Sequence, residues 1–341
     1  MIASSATDLA IRPISKFTSR PTPLRPRNRW FSLTLRTSPI RLGHQSAGTA
    51  TCSLCEEKMD SRQPTVFNPE ESIWDQFSGL KRLRRRFWAT FYRFPDTGWF
   101  GLTPLRTHIL ICGYGRSGTT LLLMMMEYAL PKARWFGREK AAWRAATFEW
   151  RNHAVVISKV PTDVCRLHRI RNFYKNRKAK LKTIIMIRDP RDVLSSKHPD
   201  TGDLKYFQET DQWKQIHTAV MRYRNDPEVF LLRYEELVTD PDAVQARIDA
   251  FTGEKSERRY ADAHKVERPD FDAPPLMGVR PVEKSGIGRW SKPEHRQRIE
   301  EILKLVPELP QILIDLGYEP DTSWLQRWRQ NVTAESQPAM A

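Results

Sequence analysis

The sequence has few cysteines and no long apolar segment, and each shortage excludes a class of protein. Four cysteines among 341 residues are too few for the disulfide framework of a small secreted domain. Cys52 and Cys55 form a lone CxxC pair, without the second pair that a structural zinc site needs. Cys112 and Cys165 stand in apolar surroundings typical of core cysteines. The longest apolar run, Leu121 to Met126, is far shorter than the ~20 residues of a membrane-spanning helix.

Acidic residues are nearly missing from the first sixty residues, where Asp8 is the only one before Glu56 and Ser, Thr, Pro and Arg dominate. This composition is typical of a disordered tail, and equally of an organellar transit peptide. A third interpretation is that translation starts at Met59. Residues 1–58 supply +6 of the net charge of +16. The remaining charge is too diffuse to distinguish nucleic acid, an anionic membrane or a small anion as its partner.

The composition divides the chain into four parts. Residues 1–60 are the tail, and residues 61–106 form an aromatic and basic segment that we expect to pack on the following domain. The basic run from Lys81 to Arg86 in that segment is typical of a solvated helix face. Residues 107–320 are predicted to form the main domain, and residues 321–341 a C-terminal tail.

From Thr107 onward, short apolar runs alternate with segments of helical length. The runs are rich in β-branched residues, as buried strands of a parallel sheet are, and they are Ile109–Cys112, Val155–Ile157, Ile184–Ile187 and Val229–Leu232. The predicted helices are Thr119–Leu130, Glu139–Arg151, Thr162–Lys175 and Asp211–Arg224. This alternation predicts an α/β fold of three layers, α/β/α, around a central, mainly parallel sheet.

A basic or aromatic polar residue follows every predicted strand. The first strand leads into Gly113–Thr120, the second into Lys159, the third into Arg188, and the fourth into Arg233 and Tyr234. Ligands of open α/β sheets bind beyond the carboxyl ends of the strands. The sequence therefore predicts a site for a multiply charged anion at this edge.

The glycine-rich segment nearly fits the Walker A pattern G-x-x-x-x-G-K-[ST], but Thr119 stands at the lysine position and the basic residue is Arg116. A strand, a glycine turn and a helix start still present backbone N–H groups to a phosphate. The departure disfavours a nucleoside triphosphatase, while a P-loop-like cradle for a single 5′-phosphate remains.

Four blocks of the sequence resemble the sulfotransferases that use 3′-phosphoadenosine 5′-phosphosulfate (PAPS). Arg116–Leu121 is similar to their 5′-phosphosulfate loop, and Ile187–Ser196 to their 3′-phosphate motif. Leu232–Leu237 is similar to their tyrosine-containing block, and Lys284–Trp290 to the loop that closes over the nucleotide. The blocks occur in the family's order, and the resemblance spans residues 107 to 318.

The resemblance implies a nucleotide site and a catalytic group. The implied nucleotide-binding residues are Arg116, Ser117, Gly118, Thr119, Thr120, Arg188, Ser196, Tyr234, Lys284, Ser285, Gly288, Arg289 and Trp290. Arg116 would also stabilise charge on the leaving phosphate, and Lys159 would assist transfer. Glu139 is the candidate general base, by its likeness to a glutamate of the protein-tyrosine sulfotransferases. An equally weighted alternative is a carboxylate favoured by a helix N-terminus, and Asp163 and His153 are weaker candidates for the base.

We therefore expect a PAPS-dependent sulfotransferase that transfers a sulfonate group to a hydroxyl or amine, with no metal and no nucleic-acid partner. The acceptor, whether small molecule, carbohydrate or peptide, is left open, as is the oligomeric state. The alternatives are a P-loop phosphotransferase or NTPase, and an inactive nucleotide-binding protein. We expect a cytoplasmic location, or an organellar one if the tail is a transit peptide.

Overall fold

A computed structural model describes residues 72–136, 139–197, 205–265 and 282–335, with side chains described up to residue 330. All of them belong to one compact unit, Val66–Ala341. The predictions for residues 1–60, with Cys52, Cys55 and Met59, lie outside the described residues.

The centre of the fold is a parallel sheet of five strands in the order β2-β3-β1-β4-β5. The strands are β1 (Thr107–Gly113), β2 (Arg134–Trp135), β3 (Val155–Lys159), β4 (Lys180–Ile187) and β5 (Val229–Arg233). All four predicted strands are confirmed, and the short edge strand β2 is additional. The first strand lies in the middle, so its carboxyl end opens between two neighbours, where ligands of such sheets bind.

Eleven helices are assigned within the described ranges. They are α1 (Gly79–Phe91), α2 (Thr119–Ala129), α3 (Ala142–Thr147), α4 (Leu167–Tyr174), α5 (Pro190–Leu194), α6 (Thr210–Arg222), α7 (Tyr234–Thr239), α8 (Pro241–Thr252), α9 (Arg296–Leu305), α10 (Leu309–Asp315) and α11 (Ser323–Glu335). Short 3-10 turns join several of them, among them Pro161–Arg166 and Lys284–Gly286.

Alternate residues of the strands supply two separate hydrophobic cores. In β1, Ile109 and Ile111 belong to the core shared with α2 and α8, while Leu110 and Cys112 belong to the core shared with α4, α6 and α9. Successive side chains of a strand point to opposite faces, so both faces of the sheet are covered by helices. The predicted three-layer α/β/α fold is confirmed.

The third helix is shorter than the predicted Glu139–Arg151. Its start is fixed by Asp163, whose carboxylate accepts a hydrogen bond from the amide of Ala142 at 2.7 Å. Its end is fixed by Arg151, whose buried guanidinium donates to the carbonyl oxygens of Ala145 and Ala146 at 3.0 and 2.5 Å. Asp163 and Arg151 thus satisfy the backbone N–H and C=O groups that the two ends of a helix leave unpaired. Neither contact could be predicted from the sequence pattern of the helix itself.

The first helix packs near α3 through an arginine held among aromatic rings. The Arg85 guanidinium lies 3.9 Å from the ring centre of Phe77 and 5.5 Å from that of Trp143. On the opposite side of α1, Leu83 and Phe87 are exposed. Over the described part of the chain, every helix is too short or too polar to cross a membrane.

Candidate functional site

At two positions of the loop after β1, the backbone adopts a conformation that only glycine permits without strain. A Cβ on Gly113, whose φ is 131°, would lie 2.0 Å from the carbonyl oxygen of Met186 in the neighbouring strand. Gly118, with φ 84°, immediately precedes the first residue of α2. Between them the buried Ser117 donates its hydroxyl to the carbonyl of Tyr114 at 2.7 Å. The loop is thus fixed from within, and Ser117 serves its shape.

Arg116 lies at the crown of this loop, with a positive φ of 60°. Its Nε donates to Oγ of Ser196 at 3.0 Å, and its guanidinium lies 5.5 Å from the ring centre of Phe207. Burial, followed by the positive charges of Arg188 and Arg289, lowers the pKa of Arg116. Three guanidinium groups thus repel one another here, and an anion bound among them would relieve that repulsion.

Arg188 is the centre of the cluster. Its Nη1 donates to the carbonyl of Arg116 at 3.1 Å, its Nη2 donates to the carbonyl of Gly286, and it lies 3.4 Å from the carboxylate of Asp192. Within the described residues its buried Nε finds no hydrogen-bond acceptor. A buried donor without a partner is costly, so the position suits a phosphate oxygen.

Tyr234 packs between the glycine loop and the late loop. Its ring carbon Cδ2 lies 2.6 Å from where a Cβ on Gly118 would stand, and its hydroxyl 2.5 Å from a Cβ on Gly286. The guanidinium of Arg188 lies over the ring at 4.5 Å. Burial raises the pKa of the Tyr234 hydroxyl, which keeps it a neutral donor. The other three sequence blocks named for the nucleotide therefore meet around this ring.

Asp192 holds the late loop against the site, a role that the sequence patterns did not reveal. Its two carboxylate oxygens accept hydrogen bonds from the amides of Gly288 at 2.9 Å and Trp290 at 2.8 Å. Burial raises its pKa, although the charge of Arg188 acts in the opposite direction. Of the loop's predicted binding residues, Lys284, Ser285 and Arg289 are exposed. Such side chains are accessible to a ligand.

Glu139 and Lys159, predicted independently, are in contact. Nζ of Lys159 lies 2.8 Å from Oε1 of Glu139, with the lysine side chain 5% exposed and the glutamate 53% exposed. Lys159 ends β3, the neighbour of β1, so the pair lies at the same edge as the glycine loop. Thr119 and Thr120 open α2 at that edge, with Thr119 buried. A half-exposed carboxylate beside an ammonium group can accept a proton from a ligand.

The two weaker base candidates differ in their surroundings. Asp163 is buried and bonded to the amide of Ala142. Its pKa is raised to about 6, mainly by burial and also by the charge of Glu139. His153 lies before β3, at the opposite edge of the sheet from Lys159. Neither matches the exposure and placement of Glu139.

Arg233, which follows a predicted strand, lies outside the cluster. Arg233 donates to the carbonyl oxygens of Leu316 and Gly317, so it ties β5 to the C-terminal helices. Trp213 is buried in the core beneath the loop, whereas Phe207 is 38% exposed beside Arg116. The strand-end pattern could not distinguish Arg233 from its neighbour Tyr234.

Comparison with known proteins finds one family model that matches part of the chain. Residues 106–267 match the family model described as the sulfotransferase domain. No curated protein matches the chain.

Several solved structures are similar to a part of the chain. The sulfotransferase domain of a Synechococcus olefin synthase has 16% identity and a TM-score of 0.40, covering 55% of this chain and 88% of that one. A mouse sulfotransferase complexed with PAP has 13% identity and a TM-score of 0.37, with 64% and 91% covered. A retinol dehydratase in a complex with retinol and PAP has 15% identity and a TM-score of 0.36, with 64% and 85% covered.

Proposed function

We propose that this chain transfers a sulfonate group from PAPS to an acceptor hydroxyl or amine, and the match of residues 106–267 to the sulfotransferase domain supports the proposal. The observation that carries the proposal is the arginine cluster. Burial lowers the pKa of Arg116, and Arg188 and Arg289 lie close enough for their charges to lower it further. PAPS has roughly four negative charges, counting its phosphate monoester as nearly two, and this charge complements the cluster.

The donor would be held at two points. Arg188 and Ser196 would bind the 3′-phosphate, because the unpartnered Nε of Arg188 is a donor for it and guanidinium groups match phosphate geometry. The loop Arg116–Thr120 would hold the 5′-phosphosulfate, with its amides and the hydroxyls of Thr119 and Thr120 as donors. Tyr234 would flank the nucleotide, and Lys284, Ser285, Gly288, Arg289 and Trp290 would close over it.

PAPS supplies an activated sulfonate with the 5′-phosphate as leaving group. Glu139 would accept the acceptor's proton as the new sulfur–oxygen or sulfur–nitrogen bond forms and the donor's sulfur–oxygen bond breaks. Arg116 and Lys159 would stabilise the charge that grows on the oxygens as 3′-phosphoadenosine 5′-phosphate (PAP) departs. The 2.8 Å contact of Lys159 with Glu139 supports this assignment, since it holds the carboxylate in place.

A nucleotide titration tests the proposal against its alternatives. A ligand that binds only the folded chain raises its melting temperature. We expect PAP to raise it and Mg-ATP to have little effect. A larger effect of Mg-ATP would favour a phosphotransferase or NTPase, and no effect of either would favour a protein without a nucleotide site. Formation of PAP from PAPS with a mixed set of phenols, sugars and amines then tests transfer.

A further inference from the structure

A groove lies between α1 and α3, next to the proposed catalytic pair. Its volume is about 780 Å³, within the range of small-ligand sites. Lys140 lines it and is the chain neighbour of Glu139. Helix α3 forms one wall of the groove. The first residue of this helix, Ala142, is hydrogen-bonded to Asp163 in the turn that follows β3 and Lys159. The groove therefore begins at the edge of the sheet where transfer would occur.

The charge of this groove is strongly one-sided. Among the described residues, those that line it and carry a charge are Lys81, Arg84, Arg85, Lys140, Arg144 and Glu149. The carboxylate of Glu149 is already paired with Lys140 at 2.5 Å, so the balance is positive. A concave surface with one sign of charge concentrates ligands of the opposite sign.

Aromatic rings alternate with these cations. Trp88 and Trp143 line the groove, and the guanidinium of Arg144 lies 5.3 Å from the ring centre of Trp143. Trp88 is 42% exposed. The exposed ring of Trp88 is a flat apolar surface that can pack against the ring of a ligand, while the guanidinium groups bind an acid group.

We propose that this groove binds the acceptor, and that the acceptor is a ring-containing anion, a molecule that carries a carboxylate, sulfate or phosphate on a sugar or aromatic ring. The inference rests on the proposed function, because it assumes that the chemistry occurs at Glu139. The N-terminal tail is a poor occupant, since residues 1–58 have a net charge of +6 and would be repelled. A neutral acceptor would make no use of the positive charge of the groove.

The test compares ligands that differ in one charge. 4-Nitrophenyl β-glucuronide and 4-nitrophenyl β-glucoside share both rings and differ in a carboxylate. 4-Hydroxyphenylpropanoate and 4-ethylphenol form the equivalent aromatic pair. Binding is measured by calorimetry with PAP saturating. We expect the charged member of at least one pair to bind about tenfold more tightly, as one charge-assisted contact implies. This preference should become smaller as added salt screens the charges. The pair that shows the preference identifies whether the groove prefers the acid group on a sugar or on an aromatic ring.

Substitutions locate the effect in the groove. The double variant Lys81→Gln/Arg84→Gln should abolish the charge preference, because both residues are exposed on the groove side of α1. Arg86→Gln is the control: it removes an equally exposed cation of α1 that does not line the groove, and the preference should persist. Trp88→Ala should weaken both members of the preferred pair alike.

Two outcomes would overturn the inference: equal affinity for the members of both pairs, or the same loss of preference in Arg86→Gln. The melting temperature with PAP, measured on the same samples, separates this failure from a failure of the proposed function. Stabilisation by PAP without a charge preference rejects the groove alone. A charge preference without stabilisation by PAP rejects the donor site and leaves a binding groove for an anion.

Discussion

Nζ of Lys159 lies 2.8 Å from Oε1 of Glu139. Lys159 ends β3, whereas Glu139 lies between β2 and α3. Lys159 is nearly buried at the end of β3, whereas Glu139 is half-exposed. The pair thus joins a fixed cation to an accessible carboxylate. A carboxylate that merely begins a helix would not need this partner, and the start of α3 is served by Asp163 instead.

Glu139→Gln should slow turnover by roughly 10²–10⁴-fold, because the amide keeps the shape of the side chain and cannot accept a proton. Nucleotide affinity should be unchanged, since in the proposed mechanism the carboxylate would face the acceptor. The measurement is the single-turnover rate at saturating PAPS. Glu236→Gln is the control, because this carboxylate pairs with Arg247 on the surface. A near-normal rate in Glu139→Gln would remove it from the mechanism and leave Asp163 as the next candidate.

Arg188→Ala should weaken PAP more than adenosine 5′-phosphate, because only PAP has a 3′-phosphate. A charge-assisted hydrogen bond of about 1.5–3 kcal/mol corresponds to a roughly 10–150-fold difference between the two nucleotides. Arg188 also donates to the carbonyls of Arg116 and Gly286, so some loss is expected for both. The ratio of the two dissociation constants, measured by calorimetry, is therefore the readout. An unchanged ratio would contradict the assignment, and Arg247→Ala serves as a surface control.

Gly118→Ala should destabilise the chain and weaken PAP, because its Cβ would stand 2.6 Å from the ring of Tyr234. Gly253→Ala is the matched control, with a similar positive φ of 74° and nothing within 4 Å of its Cβ. The left-handed backbone alone costs about 1–2 kcal/mol for an alanine. In urea unfolding, Gly118→Ala should lose more free energy than Gly253→Ala, and PAP affinity should fall only in the former. Equal losses would show that Tyr234 can move aside.

The parts of the site that the sequence predicted are local. The apolar runs predicted four strands, and a glycine loop beside a helix start predicted the cradle, since both follow from short-range geometry. Glu139 and Lys159 were each predicted from a family resemblance, and their contact could not be predicted from either residue's neighbours. Strand β2 was missed, as its two residues have no period to detect.

The remaining features depend on distant partners. Arg191 is buried between the rings of Trp290 and Trp324 and pairs with Asp189 and Glu319. The C-terminal residues thus meet the 3′-phosphate motif of the sequence, although composition suggested only a tail there. Asp192 was likewise an unremarkable helix residue until its two bonds to the late loop were seen. No local pattern encodes such contacts.

Asp163 makes the folded chain less stable as the pH rises, which is the opposite of the usual effect of a carboxylate. Its pKa in the folded chain is raised to about 6 from an ordinary 3.8, first by burial. Between these values the folded chain holds a proton that the unfolded chain has lost, so this group's contribution falls as the pH rises. Above about pH 6 the folded chain has lost this proton as well, so the loss of stability caused by the buried charge is complete. Asp226 is the opposite case, because its hydrogen bond from Arg171 lowers its pKa.

Asp163→Asn should therefore gain stability relative to the parent chain as the pH rises. The asparagine oxygen can still accept the hydrogen bond from the amide of Ala142, while the buried charge is gone. We expect the difference in melting temperature, variant minus parent, to grow between about pH 4 and pH 6 and then stay level. Asp226→Asn should instead be less stable than its parent throughout this range, with the deficit shrinking only at more acidic pH. A difference for Asp163→Asn that stays flat across the range would show that Asp163 titrates alike in both states, and its burial would then not govern its charge.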